Sequence, residues 1–273
     1  MKNGKILFKN EEGIVFLTLN SPEKLNALDW DTFMRLEEIV EQLNNTDEFR
    51  VVVLTGTGDR SFCSGADLSL GGLPAVGENH DVLPPQQRTL MNRKFQARVQ
   101  KIFDNLAKCV KPTIAAVNGL AVGGGVEMML ACDIRLASNR ARFRFSETAL
   151  GLIPDTGGSQ RLPRLIGLGK AKELLFTARW VEADEAEKIG LVDYVIPHEN
   201  LMEEATKLAN SINANAPLAV QGVKVACNHW AETNLDAGLR LELEIQSALY
   251  GTDDGVEGFR AFREKRPPEW KGS

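Results

Sequence analysis

Residues 112–133 read PTIAAVNGLAVGGGVEMMLACD, and the order of residue types there decides the fold. An apolar, β-branched run, Thr113–Val117, is bounded by a proline and a glycine, the pattern of a short buried strand. After Leu120, Ala121 and Val122 come Gly123, Gly124 and Gly125, then a helix-forming run over 126–132. The glycines therefore stand at a strand-to-helix turn. Absent side chains there let another molecule approach the first free N–H groups of a helix, and both those groups and the helix dipole favour negative charge. Glu127 follows in the first helical turn. A carboxylate beside a small anion pocket suits proton transfer next to a carbonyl whose oxygen becomes negative. Taken alone, a glycine triplet is more often packing or turn chemistry, and a lone Glu in a first turn is a dipole partner. The spacing is not G-x-G-x-x-G, and no Lys-Ser or Lys-Thr follows the glycines, so the nucleotide-loop readings fail.

Upstream, residues 6–8 and Ile14–Leu19 read as two strands around a turn at 10–13. Asp29 is placed to cap a helix, Trp30–Asn44, whose Phe33, Leu36, Ile39, Val40 and Leu43 recur at helical spacing. The fully apolar run 51–55 reads as a parallel strand covered on both sides, and the alternation so far points to an α/β layered core. The small-residue loop GTGDRSFCSGADL at 56–68 follows that strand at its carboxyl end, a favoured ligand position. Residues 71–87 carry glycines and prolines without a period and read as a mobile surface loop, and 89–109 resumes helical spacing.

Downstream, 134–137 and 141–145 read as strands. A second acidic, glycine-rich loop follows at 146–158, then a helix near 170–176, a helix over Ala183–Lys188 and a last strand at 192–196. Beyond Pro197 the pattern is helical only, over Leu201–Asn213, Pro217–Trp230, Leu235–Tyr250 and 254–265. The expected division is an α/β core at 1–197 and an all-helical region at 198–273, the latter too thin to hold its own core and packed on a neighbour or a sister subunit. No internal repeat is visible in the sequence.

At 273 residues the chain can bury one large core or a domain with a small appendage. A net charge of −5 argues against a nucleic-acid surface. Cys63, Cys109, Cys132 and Cys227 are scattered without a C-x-x-C pair, so neither a zinc site nor a disulfide framework is expected, and a reducing compartment is. His80, His198 and His229 are isolated, and no metal is expected. The first twenty residues lack the apolar core of a secretory signal and the Arg-rich, acid-poor character of a transit peptide. With no run long enough to span a membrane, a cytoplasmic protein without a membrane partner is the expectation.

Taken in order, several segments resemble the enoyl-CoA hydratase/isomerase (crotonase) family over nearly the whole chain. They are NAL at 26–28, FCSGADL at 62–68, AVNG at 116–119 with GGGVE at 123–127, ACDI at 131–134, SE at 146–147 with GLIP at 151–154 and GG at 157–158, and AFREKR at 261–266. The resemblance implies a spiral of ββα units with a helical tail that drives trimers or hexamers. It implies an acyl-CoA substrate with no further cofactor. By the same resemblance the backbone N–H groups of Ala66 and Gly124 form an oxyanion hole for the thioester carbonyl, worth roughly 3 to 4 kcal/mol per donor. Glu127 and Glu147 match the two hydratase glutamates: Glu127 activates a water for attack at the β-carbon, and Glu147 delivers a proton to the α-carbon. Lys24 and the backbone of Ala66, Asp67 and Leu68, with Phe262 and Lys265 of a neighbouring subunit, are implied for the CoA nucleotide, and residues 70–95 for the acyl pocket. For Lys24 a plain solvated loop lysine is the alternative.

Asp155 departs from several hydratases, which carry a small residue there, whereas some isomerases of the family carry an aspartate. It is either a second acid/base that moves a proton along the acyl chain or a cap for the turn formed by Asp155, Thr156, Gly157 and Gly158. Hydration of a trans-2-enoyl-CoA is therefore the first expectation and enoyl- or dienoyl-CoA isomerisation the second. Two further rivals are a thioester hydrolase or dehalogenase with Asp155 as nucleophile, and a non-catalytic RNA-binding relative. The paired glutamates weigh against the first, and they and the acidic balance weigh against the second.

Overall fold

The computed structural model describes residues 4–68 and 84–273. Among these residues two sheets form. The larger has the order β1(Ile6–Glu11), β2(Ile14–Leu19), β3(Val51–Gly56), β5(Thr113–Val117), β7(Ile134–Ser138), β10(Tyr194–Ile196). The smaller has the order β4(Ser61–Cys63), β6(Leu120–Val122), β8(Arg142–Arg144), β9(Val181–Glu182). The β1–β2 and β8–β9 pairs are antiparallel and the others parallel. Each central strand of the large sheet is followed within a few residues by a strand of the small one, and then by helix. The units are β3–β4–α2(Pro85–Ala107), β5–β6–α3(Gly124–Leu130) and β7–β8 leading to α4(Gly158–Ile166) and α5(Leu168–Thr177). This ββα spiral recurs without a repeat in the sequence, because strands of three residues leave too little pattern to recognise.

Burial explains the unbroken apolar runs in β3 and β5. Val52 and Leu54, with Ala115 and Val117, face one core, which includes Leu36, Ile39 and Leu43 of α1(Trp30–Asn44) and Ile102, Phe103 and Leu106 of α2. Val51 and Val53, with Ile114 and Ala116, face the opposite side and meet Leu201, Ala205 and Ala209 of α7(Leu201–Asn213). Both faces are covered, so neither shows polar alternation. The helix α7, which lies beyond residue 197, closes the second face of the sheet. Asp29 caps α1 as its position suggests, accepting from the Thr32 N–H at 2.9 Å.

Two regions differ from the sequence pattern. The helix expected from 89 begins at Pro85, because Pro84 is its cap and a proline at the first helical position loses no intrahelical bond. Of the loop expected at 71–87 and the acyl-pocket segment at 70–95, the stretch up to 83 lies outside the described residues. The second is α4, which contains Pro163. A proline inside a helix removes one hydrogen bond, and this helix is short and stops at Gly167.

The chain continues through α6(Ala183–Lys188) to β10, then after α7 to α8(Pro217–Trp230), α9(Leu235–Tyr250) and α10(Asp253–Glu264). Buried Lys224 ties α8 to the core: its ammonium lies 2.7 Å from Asp133 Oδ2 and donates to the Lys111 carbonyl at 2.9 Å. The last residues are fastened as well. Asp254 accepts from the Lys271 and Gly272 N–H groups at 2.7 and 2.9 Å, Trp270 Nε1 donates to the Ala214 carbonyl, and Arg50 Nη2 donates to the Trp270 carbonyl at 3.1 Å. Among the described residues no helix is long and apolar enough to cross a membrane.

Candidate active site

The turn from β6 into α3 is built by glycines with three separate duties. Gly123 has φ +52°, and a Cβ there would stand 3.1 Å from Glu147 Oε1. A Cβ on Gly125 would collide with the Cys63 carbonyl of β4. Gly124 is the first residue of α3, so its N–H has no acceptor within the helix. A Cβ on it would lie 3.9 Å from the Ala66 amide nitrogen, which brings these two amides into one small space. Ala66 forms a single parallel bridge with Leu28, made by Leu28 N–H to the Gly65 carbonyl (2.8 Å) and Asp67 N–H to the Leu28 carbonyl (2.9 Å). In a parallel bridge of this kind the N–H of Ala66 itself points away from Leu28. Ala66 is exposed and Gly124 half-exposed, so a ligand oxygen can reach both.

The loops bearing these amides are held by two asparagines. Asn26, at φ +58°, accepts from the Ser21 N–H at 3.1 Å and donates to the carbonyls of Thr57 (3.1 Å) and Ser61 (2.8 Å). Asn118 accepts from the Gly56 N–H at 3.2 Å and donates to the carbonyls of Gly56 (2.9 Å) and Gly58 (2.5 Å). Both belong to the quoted motifs, but no pattern in the sequence announces their carbonyl partners.

Glu127 is 2% exposed. Its Oε1 accepts from the Thr156 N–H at 2.9 Å and the Gly158 N–H at 2.7 Å, at the N-terminus of α4. Burial pushes its carboxyl above the usual range, against the pull of these donors. Gly158 is required for this approach, because a Cβ there would stand 2.9 Å from Glu127 Oε1. Both backbone donors fall on Oε1.

Glu147 opens a short 3₁₀ turn, Glu147–Leu150, held by the Thr148 hydroxyl donating to the Leu175 carbonyl at 2.7 Å. Its Oε2 is buried, and no donor among the described residues reaches it. Burial, with the charges of Glu127 and Asp155 behind it and its own backbone N–H opposing, pushes the carboxyl up to about 7. Two acids with unlike surroundings therefore share the site: one donor-bound carboxylate and one carboxyl lacking donors at its buried oxygen. Asp155 is half-buried, raised by burial, and its charge acts on both glutamates. It does not cap the helix that follows: the cap is Gly157, with no side-chain bond.

The residues implied for the nucleotide divide into two groups. Lys24 pairs with buried Asp67 at 2.6 Å, beside Ala66 and exposed Leu68, so it is engaged with this segment rather than freely solvated. Phe262 is exposed on α10 and Lys265 is its left-handed C-cap.

The family described as Enoyl-CoA hydratase/isomerase matches this chain over residues 9–273. The chain is 40% identical over 269 residues to the short-chain-enoyl-CoA hydratase of Clostridium acetobutylicum, covering 98% of each. It is 38% identical over 267 residues to the mitochondrial Delta(3,5)-Delta(2,4)-dienoyl-CoA isomerase of Dictyostelium discoideum, covering 97% of this chain and 90% of that one. The crystal structure of an enoyl-CoA hydratase from Bacillus anthracis matches with a TM-score of 0.88 at 37% identity, over 98% of this chain and 100% of that one.

Proposed function

Since the chain belongs to the enoyl-CoA hydratase/isomerase (crotonase) family, whose fold it has and whose members act on acyl-CoA, we propose that it is an enoyl-CoA hydratase. The reaction is the reversible addition of water to a trans-2-enoyl-CoA, giving a 3-hydroxyacyl-CoA. The observation that carries this reading is the unlike pair of glutamates beside two converging backbone amides. Glu127, ionised and held through Oε1, takes a proton from water as its oxygen attacks the β-carbon. The electron pair of the double bond moves toward the thioester carbonyl, whose oxygen becomes an enolate under the Ala66 and Gly124 N–H groups. Glu147, a carboxylic acid near neutral pH, gives its proton to the α-carbon. One proton is taken up and one released, so the pair keeps its total charge. Lys24, with the Ala66 to Leu68 backbone, contacts the CoA portion in this reading.

The dienoyl-CoA isomerase reading is favoured by one observation, the Asp155 carboxyl whose charge acts on both glutamates while the cap of the following helix is Gly157. Loss of enoyl-thioester absorbance with crotonyl-CoA separates the two. Wild type hydrates, Glu147→Gln is slowed at least about 100-fold, and Asp155→Ala stays within a few-fold of wild type. If crotonyl-CoA is untouched while a 3-enoyl- or dienoyl-CoA is isomerised in an Asp155-dependent way, the hydratase proposal is wrong.

A further inference from the structure

The turn that holds Glu127 is itself gripped from behind. Arg161, half-buried in α4, donates from Nη1 to the Thr156 carbonyl at 2.9 Å, and its Nη2 stands 3.5 Å from Asp104 Oδ1 of α2. A Cβ on Gly157 would run into Nη1, so the guanidinium lies against the Gly157 backbone. Residues 156–158 are thus held on two sides. The Thr156 and Gly158 N–H groups point to Glu127 Oε1, and the Thr156 carbonyl points to Arg161. From α2, Gln100 Nε2 donates to the neighbouring Asp155 carbonyl at 3.4 Å.

We infer that Arg161 is a positioning residue for Glu127, keeping the two amide donors of the turn aimed at Oε1 by holding the Thr156 carbonyl and the Gly157 backbone. The inference rests on Glu127 being the base of the proposed hydration. The groups facing Glu127 divide by charge. Glu147, from the loop after β8, and Asp155, in the turn, disfavour a second anion nearby. The guanidinium of Arg161 attracts the Glu127 carboxylate and is shared with the Asp104 carboxylate of α2. Removing it loosens two donors and withdraws a cation, and both changes disfavour the ionised carboxylate.

Three variants test this: Arg161→Met removes charge and donor, Arg161→Gln keeps a donor for the Thr156 carbonyl, and Arg161→Lys keeps the charge. The first readout needs no substrate. The carboxylate band of Glu127 is titrated by infrared difference against Glu127→Gln in each background. The expected midpoint rises by about one pH unit in Arg161→Met and by less in the Gln and Lys variants. The second readout is kcat/KM for crotonyl-CoA hydration. It falls about tenfold on the acidic limb, converges toward wild type at higher pH, and recovers in part with Lys. An unmoved Glu127 midpoint in a folded Met variant, or in the Gln variant together with Lys should Met not fold, overturns the inference. So does a loss of activity equal at every pH. If wild type hydrates nothing, the hydratase reading fails while the infrared titration still decides the role of Arg161.

Discussion

One oxygen, Glu147 Oε2, sets much of the expected pH behaviour. It is buried with no donor among the described residues, and burial pushes the carboxyl from its ordinary 4.5 up to about 7. The folded protein therefore binds more protons at this group than the unfolded chain does between those two values. Its contribution falls as pH rises through that window and is a net penalty above it. Glu147→Gln should then gain thermal stability over wild type at pH 8, by a few degrees, and gain little at pH 4.5, as differential scanning calorimetry would register. The alkaline limb of the hydration profile should sit near pH 7 in wild type, reported as a property of the coupled carboxyls. Gly158→Ala is the matching test for the base. Its Cβ would press within 2.9 Å of Glu127 Oε1 and 2.8 Å of Pro154 Cβ, so kcat should drop by about tenfold or more. An Ala variant as active as wild type would show that the Gly158 amide contact is dispensable. The glycine turn and Glu127 within it could be read from residue type and local spacing, whereas Glu147 entered only through the family resemblance. Arg161 and the Thr156 N–H could not be read at all, since their partners are fixed only by tertiary contact.

At the scale of elements, the sequence pattern is readable wherever an element is long enough to repeat its own period. The helices α1, α7, α8 and α9 fall on the predicted spans because three or more turns show an apolar face. The small-sheet strands β4, β6 and β9 carry two or three residues each, less than two alternations, and left no such mark. Yet these strands deliver the loops of the site. Their connection to the large sheet runs through Asn118, whose amide satisfies both polar groups of Gly56. Asn118→Ala would leave those backbone groups without partners, at about 1–3 kcal/mol each. The expected outcome is a urea midpoint lowered accordingly and a weakened grip on the thioester oxygen. An unchanged midpoint would mean that water or a local shift replaces the amide.

At the scale of the whole molecule, the C-terminal helices show an apolar stripe that their own chain leaves open. Leu235, Leu239 and Leu243 on α9 are four residues apart and all at least half exposed, and Val256, Phe259 and Phe262 continue the apolar surface on α10. This suits the trimer or hexamer implied by the family resemblance, in which Phe262 and Lys265 would reach a neighbour's nucleotide. Leu239→Glu combined with Leu243→Glu should convert an oligomeric mass, trimer or hexamer, to a monomeric one in sedimentation, and raise KM for the CoA ester about tenfold or more. Wild type sedimenting as an active monomer at micromolar concentration would refute the assembly. The fastening of the last residues has a consequence in time. Arg50, at the entrance of β3, finds its carbonyl partner in Trp270, 220 positions later. A ribosome adding roughly 5–20 residues per second delivers that partner roughly 10–40 s after Arg50 itself. During that interval the nascent sheet exists without this latch, and the clasp at β3 closes only after Trp270 has been synthesised.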